Sequence, residues 1–285
     1  MRIRLDWFGE KLAQRLADLE AGRIAPATPR DAATVMLLRP AAAGVEVLML
    51  RRVAAMKFAP GAYVFPGGSV DPADHAAEVG WHGPDPAEFG ARLGASAEMA
   101  RALVCAAVRE TFEEAGVLLA GAPGGGPVAD PSGPSWEADR AALTAGDLTL
   151  AELLARRGLV LRADLLVPWA RWVTPEGEPR RFDARFFAAA LPAGQVATEH
   201  AAESDRIAWL RPADAIESAR AGQISMLPPT ATTLHGFAAE AAAAGQDAVA
   251  AILGRRPAIE PVVPRLVLED GQAWLYVPDE VGYPL

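Results

Sequence analysis

Three glutamates carry the most chemical information in this chain. Glu110, Glu113 and Glu114 lie in Arg109-Glu110-Thr111-Phe112-Glu113-Glu114-Ala115-Gly116-Val117, at the end of a run from Ala97 to Val108 that is rich in Ala, Met, Leu and Val and free of Pro and Gly. Such a run favours a helix, and Gly116 reads as its stop. Residues three and four apart share a helix face, so the three carboxylates point to roughly the same place. Their mutual repulsion and the negative end of the helix dipole both oppose that arrangement. A divalent cation that prefers hard oxygen ligands, Mg²⁺ or Mn²⁺, would offset both terms. A solvated acidic helix end, with Arg109 paired to Glu113 at the i, i+4 spacing, accounts for the same nine residues without a metal.

The element that must meet this helix lies upstream. Phe65-Pro66-Gly67-Gly68-Ser69-Val70-Asp71-Pro72-Ala73-Asp74 holds a Gly-Gly turn that could bring a bare backbone carbonyl close to a ligand or metal. With both stretches in view, the sequence resembles the Nudix hydrolase family, whose signature runs from a Gly through an acid to an Arg-Glu-x-x-Glu-Glu-x-Gly ending. Gly68 matches the opening glycine, and Arg109, Glu110, Glu113, Glu114, Gly116 and Val117 match the ending. Asp74 stands where the first Glu is expected, Thr111 where a larger apolar residue is usual. A segment from His75 to Val108 replaces the usual seven-residue spacer.

The likeness extends further, to coenzyme A diphosphatases of that family, and most to the peroxisomal branch with an interrupted signature. Arg52, Lys57, Gly61 and Phe65-Pro66-Gly67-Gly68 follow the outline of their motif, with Lys57 in place of an Arg and Val53 in place of a small residue. Thr174-Pro175, Arg180-Arg181-Phe182-Asp183 and Leu227-Pro228-Pro229 agree as well.

The resemblance implies hydrolysis of coenzyme A or acyl-coenzyme A to adenosine 3′,5′-bisphosphate and phosphopantetheine. A metal would be held by Glu110, Glu113, Glu114 and the Gly68 carbonyl, with Arg109 orienting Glu113. Water would be activated by a signature glutamate, Glu113 or Glu114, or by a later loop glutamate, for which Glu203 matches the position and Glu199 is second. Phosphates would fall to Arg52, Lys57 and one of Arg180 and Arg181, which as neighbours on a strand face opposite sides. An ADP-ribose or NADH pyrophosphatase and a ligand-sensing module without catalysis are the competing readings. The three glutamates weigh against the last.

Composition bounds the rest. At 285 residues, 51% hydrophobic and 22% charged, the chain is globular, and a net charge of −9 disfavours nucleic-acid and anionic-membrane surfaces. The expected partner is a small nucleotide. Cys105, the single cysteine, excludes an intramolecular disulfide and fits a cytoplasmic setting, and its place in the apolar helix fits a buried structural thiol. No segment is apolar enough to span a bilayer. His75, His82, His200 and His235 lack metal-site spacing.

Helices are expected over Asp6–Leu19, Pro86–Leu93, Trp136–Ala145, Leu150–Arg157, Pro212–Ala221 and Thr230–Leu253. Strands are expected over Ala33–Leu38, Val45–Leu50, Gly61–Gly68 where it enters the glycine turn, around Arg171–Val173, over Arg181–Phe187 and before Leu210, and Asp270-Gly271 marks a closing hairpin. The fold class is α/β: strands mixed with helices predict a mixed sheet covered on both faces, in agreement with the α/β/α sandwich of the family. One elaborated domain is expected over 1–285, with a core of about 30–255 and an extension over 256–285. The inserted loops suit a cap on the site or a homodimer contact.

Overall fold

The computed structural model describes residues 1–4, 10–42, 44–53, 59–76, 78–199, 204–256 and 259–285. Strand β1 (Arg2–Arg4) and helix α1 (Glu10–Glu20) precede two long strands, β2 (Arg30–Ala41) and β3 (Gly44–Arg52). The short β4 (Ala62–Val64) and β5 (Gly67–Ser69) follow, then α2 (Pro72–His75), β6 (Trp81–His82), α3 (Pro86–Leu93) and the central helix α4 (Ala97–Ala115). Next come β7 (Ala120–Gly121), α5 (Pro134–Ala145), α6 (Leu150–Arg157), β8 (Val160–Arg162), β9 (Val167–Val173), β10 (Phe182–Ala190) and β11 (Ser204–Leu210). The chain continues through α7 (Pro212–Arg220), β12 (Ser225–Met226), α8 (Pro228–Ala244), α9 (Ala248–Gly254), β13 (Pro261–Val262), β14 (Arg265–Glu269) and β15 (Gln272–Tyr276).

Among the described residues the central sheet has the order β12-β4-β3-β2-β10-β9-β13, with β11 pairing β3 and β5 pairing β2. It is mixed: β2 runs parallel to β10 and antiparallel to β3. Alternation divides β2 between its two faces, as the strand period requires. Ala33, Val35 and Leu37 join Leu103, Val104, Ala107, Val108 and Phe112 of α4 in one core, and Met36 and Leu38 join Ala231, Leu234 and Phe237 of α8 in the other. Two fully apolar layers on one sheet are the expected α/β/α arrangement. Strands β1, β15 and β14 make a separate three-stranded sheet that α1 covers with Leu12 and Leu16.

Helix α4 begins where Ser96 accepts a hydrogen bond from the Met99 N–H at 3.1 Å and ends at Gly116 in the left-handed region, φ 67°. The helix expected over Thr230–Leu253 is in fact two, α8 and α9. Gly245, at φ 57° and ψ −121°, breaks it in a conformation that side chains disfavour. Arg180 and Arg181 do not lie on a strand, because β10 starts at Phe182. The Asp270-Gly271 turn joins β14 to β15 with both residues at positive φ, 50° and 76°.

Candidate active site

The glycine turn and the acidic helix meet through the sheet. Strand β5 pairs antiparallel with β2, Gly68 opposite Ala33 and Gly67 opposite Thr34, and α4 packs over the face of β2 that carries Ala33, Val35 and Leu37. The Gly67 N–H donates to Glu114 Oε2 at 2.9 Å. Gly68 has no side chain because Glu110 occupies the place: a Cβ there would stand 2.3 Å from Glu110 Oε1 and 2.5 Å from its Cδ. Glu110 and Glu113 are each only 14% exposed. Glu110 and Glu114 therefore meet the turn, while Glu113 is held against Arg109.

Arg109 sits at the centre of this cluster. Its Nη1 donates to Glu110 Oε1 at 2.9 Å and to Glu113 Oε1 at 3.3 Å, and its Nη2 donates to the Ser69 carbonyl at 3.0 Å. The remaining side of the guanidinium pairs with Asp74, Nη2 to Oδ2 at 2.9 Å and Nε to Oδ1 at 3.2 Å. Burial works to deprotonate Arg109, but the Asp74 hydrogen bond and the charges of Glu110, Asp74 and Glu113 outweigh it, so the guanidinium is held more firmly protonated than usual. Asp74, 2% exposed, also accepts the Asp71 N–H at 2.9 Å, which closes the first turn of α2. The acid ahead of the insertion thus anchors Arg109, and through it Glu110 and Glu113.

A second arginine tempers the helix end. Arg140 of α5, 2% exposed, donates from Nε to the Glu113 carbonyl at 2.8 Å and from Nη1 to Thr198 Oγ1 at 2.8 Å. A cation on the last-turn carbonyls opposes the negative dipole end that would otherwise disfavour the glutamates. Burial depresses the Arg140 guanidinium, while Glu137 works the other way. Thr198 N–H in turn donates to the Ala115 carbonyl at 2.9 Å, and Gln195 brackets Leu118 through both its N–H and carbonyl at 2.9 Å. Gln195 and Thr198 are thereby tied to the end of α4 and the residues just after it. Thr111, in a position where an apolar side chain is usual, is fully buried and satisfies its hydroxyl on the Ala107 carbonyl at 2.7 Å. Cys105 is fully buried, and burial pushes its thiol up to about 12, which keeps it protonated and inert.

The expected phosphate ligands are dispersed. Arg52 lines a cleft of about 810 Å³ where β3, β4 and β11 meet the connection from α7 to β12, and the glutamates do not line it. Arg181 donates to the backbone carbonyls of Thr174 and Ala27, both at 2.9 Å, and so holds loops together, while Arg180 is exposed. Glu199 Oε1 accepts the Ile207 N–H at 3.1 Å. Lys57, His200 and Glu203 lie outside the described residues.

Hard oxygen donors set against a glycine turn suit a divalent cation in kind. Among the described residues, however, no three His, Cys, Asp or Glu side chains form a ready-made metal cluster, since Arg109 Nη1 is the group that Glu110 and Glu113 share. The Arg140 contacts had no sequence signal, and Asp74 had only its place at the first acid of the signature.

Comparison with known proteins decides the family. The family model described as the NUDT19 Nudix domain matches residues 84–235, which contain all three glutamates. This chain belongs to the Nudix hydrolase family. A crystal structure of a Nudix hydrolase from Alicyclobacillus acidocaldarius is 31% identical and superposes with a TM-score of 0.62 over 75% of this chain and 92% of that one. Among curated Nudix relatives, human acyl-coenzyme A diphosphatase NUDT19 is 32% identical over 67% of this chain and 60% of its own length. The Gallus gallus protein of the same name is 33% identical over 65% and 58%. Putative nudix hydrolase 7 of Caenorhabditis elegans is 32% identical over 65% and 52%. The chain spans roughly half to three-fifths of the length of these curated relatives. No described helix is long and apolar enough to cross a membrane.

Proposed function

We propose that this chain hydrolyses the pyrophosphate of a nucleoside diphosphate linked to a second moiety, with coenzyme A or an acyl-coenzyme A as substrate and Mg²⁺ or Mn²⁺ as cofactor. The observation that supports this reading most is the seating of Glu110 against Gly68 and of Glu114 on the Gly67 N–H, which brings the acidic helix face onto the glycine turn. The names of the vertebrate relatives supply the substrate class.

Glu110, Glu113, Glu114 and the Gly68 carbonyl would hold the cation, which when bound neutralises charge on the diphosphate. Arg109, tied to Asp74, keeps Glu110 and Glu113 in place. Glu113 or Glu114 takes the proton of the attacking water, with Glu203 as the other candidate. Arg52 is the described cation assigned to substrate phosphate.

The test is a substrate panel of coenzyme A, an acyl-coenzyme A, ADP-ribose and NADH with Mg²⁺ or Mn²⁺. Adenosine 3′,5′-bisphosphate and a phosphopantetheine are the expected products, EDTA abolishes turnover, and Glu114→Gln lowers kcat beyond the roughly 10–100-fold typical of outer-shell partners. A preference for NADH would remove the substrate assignment, and unchanged turnover in Glu114→Gln would remove the metal assignment.

A further inference from the structure

The separate sheet β1-β15-β14 has an open strand edge. Among the described residues β14 has β15 as its one neighbour, and no backbone hydrogen bond other than those to β15 reaches Arg265–Glu269. The hairpin turn decides which backbone groups are left over. Asp270-Gly271 is a two-residue loop with both residues at positive φ, so Glu269 and Gln272 form the hydrogen-bonded pair that closes it. Bonded and non-bonded pairs alternate along an antiparallel ladder. Val267 and Arg265 therefore also turn their N–H and C=O to β15, and Leu266 and Leu268 turn theirs outward. Within β14 no proline, bulge or inward-facing charge blunts this edge, the devices that keep strand edges from pairing.

The side chains of this strand complement themselves. When Arg265-Leu266-Val267-Leu268-Glu269 meets a second copy running antiparallel about Val267, Arg265 stands opposite the second Glu269 and Leu266 opposite the second Leu268. Opposite charges across a strand pair attract. Leu266 and Leu268 belong to the apolar layer that Leu12 and Leu16 of α1 cover, so their pairing continues that layer across the junction. The outward N–H and C=O of both leucines then find partners. Moving the axis to Leu266 or to Leu268 sets Arg265 against Val267 or against the turn, and the ion pairs are lost. Strand β1, at the other edge, has the reverse character: Arg2 and Arg4 flank Ile3, and self-pairing there would set arginine against arginine.

We propose that β14 pairs with β14 of a second copy of this chain, antiparallel about a two-fold axis at Val267, and so joins the two three-stranded sheets into one. The contact is isologous and closes on itself, which ends assembly at the dimer. A five-residue strand makes a small interface, so the association is weak and concentration-dependent. It stands apart from the proposed reaction, since neither the glycine turn nor the acidic helix takes part in it.

The test is sedimentation equilibrium of the full chain over a concentration series, with charge-reversed variants. The wild type dimerises with a Kd between about 1 μM and about 1 mM. Arg265→Glu sets acid against acid and weakens the dimer by about 10-fold or more, because both cross-strand pairs turn from attraction to repulsion. The Arg265 side chain is exposed and makes no ion pair or hydrogen bond among the described residues, so this variant keeps its fold. Glu269→Arg sets base against base and weakens the dimer equally. An equimolar mixture of the two single variants associates again, since an acidic strand then faces a basic one, and the double variant Arg265→Glu/Glu269→Arg recovers wild-type association. Glu269 also accepts from Arg2 and Tyr276, so if Glu269→Arg melts out, Arg265→Glu decides alone. A wild type that stays monomeric throughout, an Arg265→Glu variant that dimerises as the wild type does, or a mixture of folded variants that stays monomeric overturns the pairing.

Discussion

Gly68→Ala is the substitution that most directly probes the seating of the acidic helix on the glycine turn. The added Cβ would stand 2.3 Å from Glu110 Oε1, 2.5 Å from Cδ and 2.8 Å from Oε2, so the carboxylate has to retreat by about 1 Å to reach ordinary contact. A displacement of that size at a catalytic constellation lowers the rate by about 100-fold. The atoms met are all at the end of one side chain, so the fold absorbs the change through a rotamer shift worth about 0.5–1.5 kcal/mol, or a Tm lower by roughly 1–6 °C. Gly67→Ala gives the contrast. Its Cβ would stand 2.4 Å from the Ala33 carbonyl oxygen and 2.7 Å from the Thr34 Cα, backbone of β2 that cannot rotate away. That change strains the β2–β5 pairing itself, at about 1–3 kcal/mol or more, and lowers Tm further. Steady-state kinetics with Mg²⁺ across a concentration series, beside thermal melts of both variants, separates the two effects. The reasoning fails if Gly68→Ala keeps kcat within about threefold of wild type, or if it melts as low as Gly67→Ala.

Asp74→Asn removes the charge that holds Arg109 in a buried setting, where breaking one side of an ion pair costs about 3–5 kcal/mol. Glu110 and Glu113 still pair with Arg109, so the expected loss is near the lower figure, read as a Tm drop of roughly 6–12 °C. Arg140→Met keeps the bulk but leaves the Glu113 carbonyl and Thr198 without their donor, a loss of about 1–3 kcal/mol by denaturant unfolding. An unchanged unfolding midpoint would show that the clamp on the helix end adds no stability.

The sequence was most legible where local chemistry decides structure. The α4 glutamates share a face because of helix period alone, and Gly116 stops the helix because its left-handed conformation suits glycine. Helix α3 over Pro86–Leu93 begins at a Pro behind an Asp cap and ends at Gly94, all visible in the string. Legibility failed where a partner comes from afar. Nothing near Arg140 announces that it will cap a helix whose last residue, Ala115, lies 25 positions earlier, and nothing near Arg181 reveals that Thr174 and Ala27 will take its donors. Long apolar runs hid the break at Gly245, because a single glycine inside an Ala-rich pattern is only a weak signal until its backbone angles are known.

The seating of Gly67 and Gly68 by strand pairing, and of the glutamates by α4 packing on that sheet, also explains why the interrupted signature is tolerable. In chain-entropy terms, stretching a connection from about seven residues to the 34 from His75 to Val108 raises the free energy of ring closure by only about 1.4 kcal/mol, since the penalty grows with the logarithm of length. Much of that segment is itself ordered into β6, α3 and the first turns of α4, which lowers the figure again. Sequence distance and catalytic distance are therefore nearly independent here. The two halves of the motif are free to drift apart along the gene as long as each keeps its own grip on the sheet.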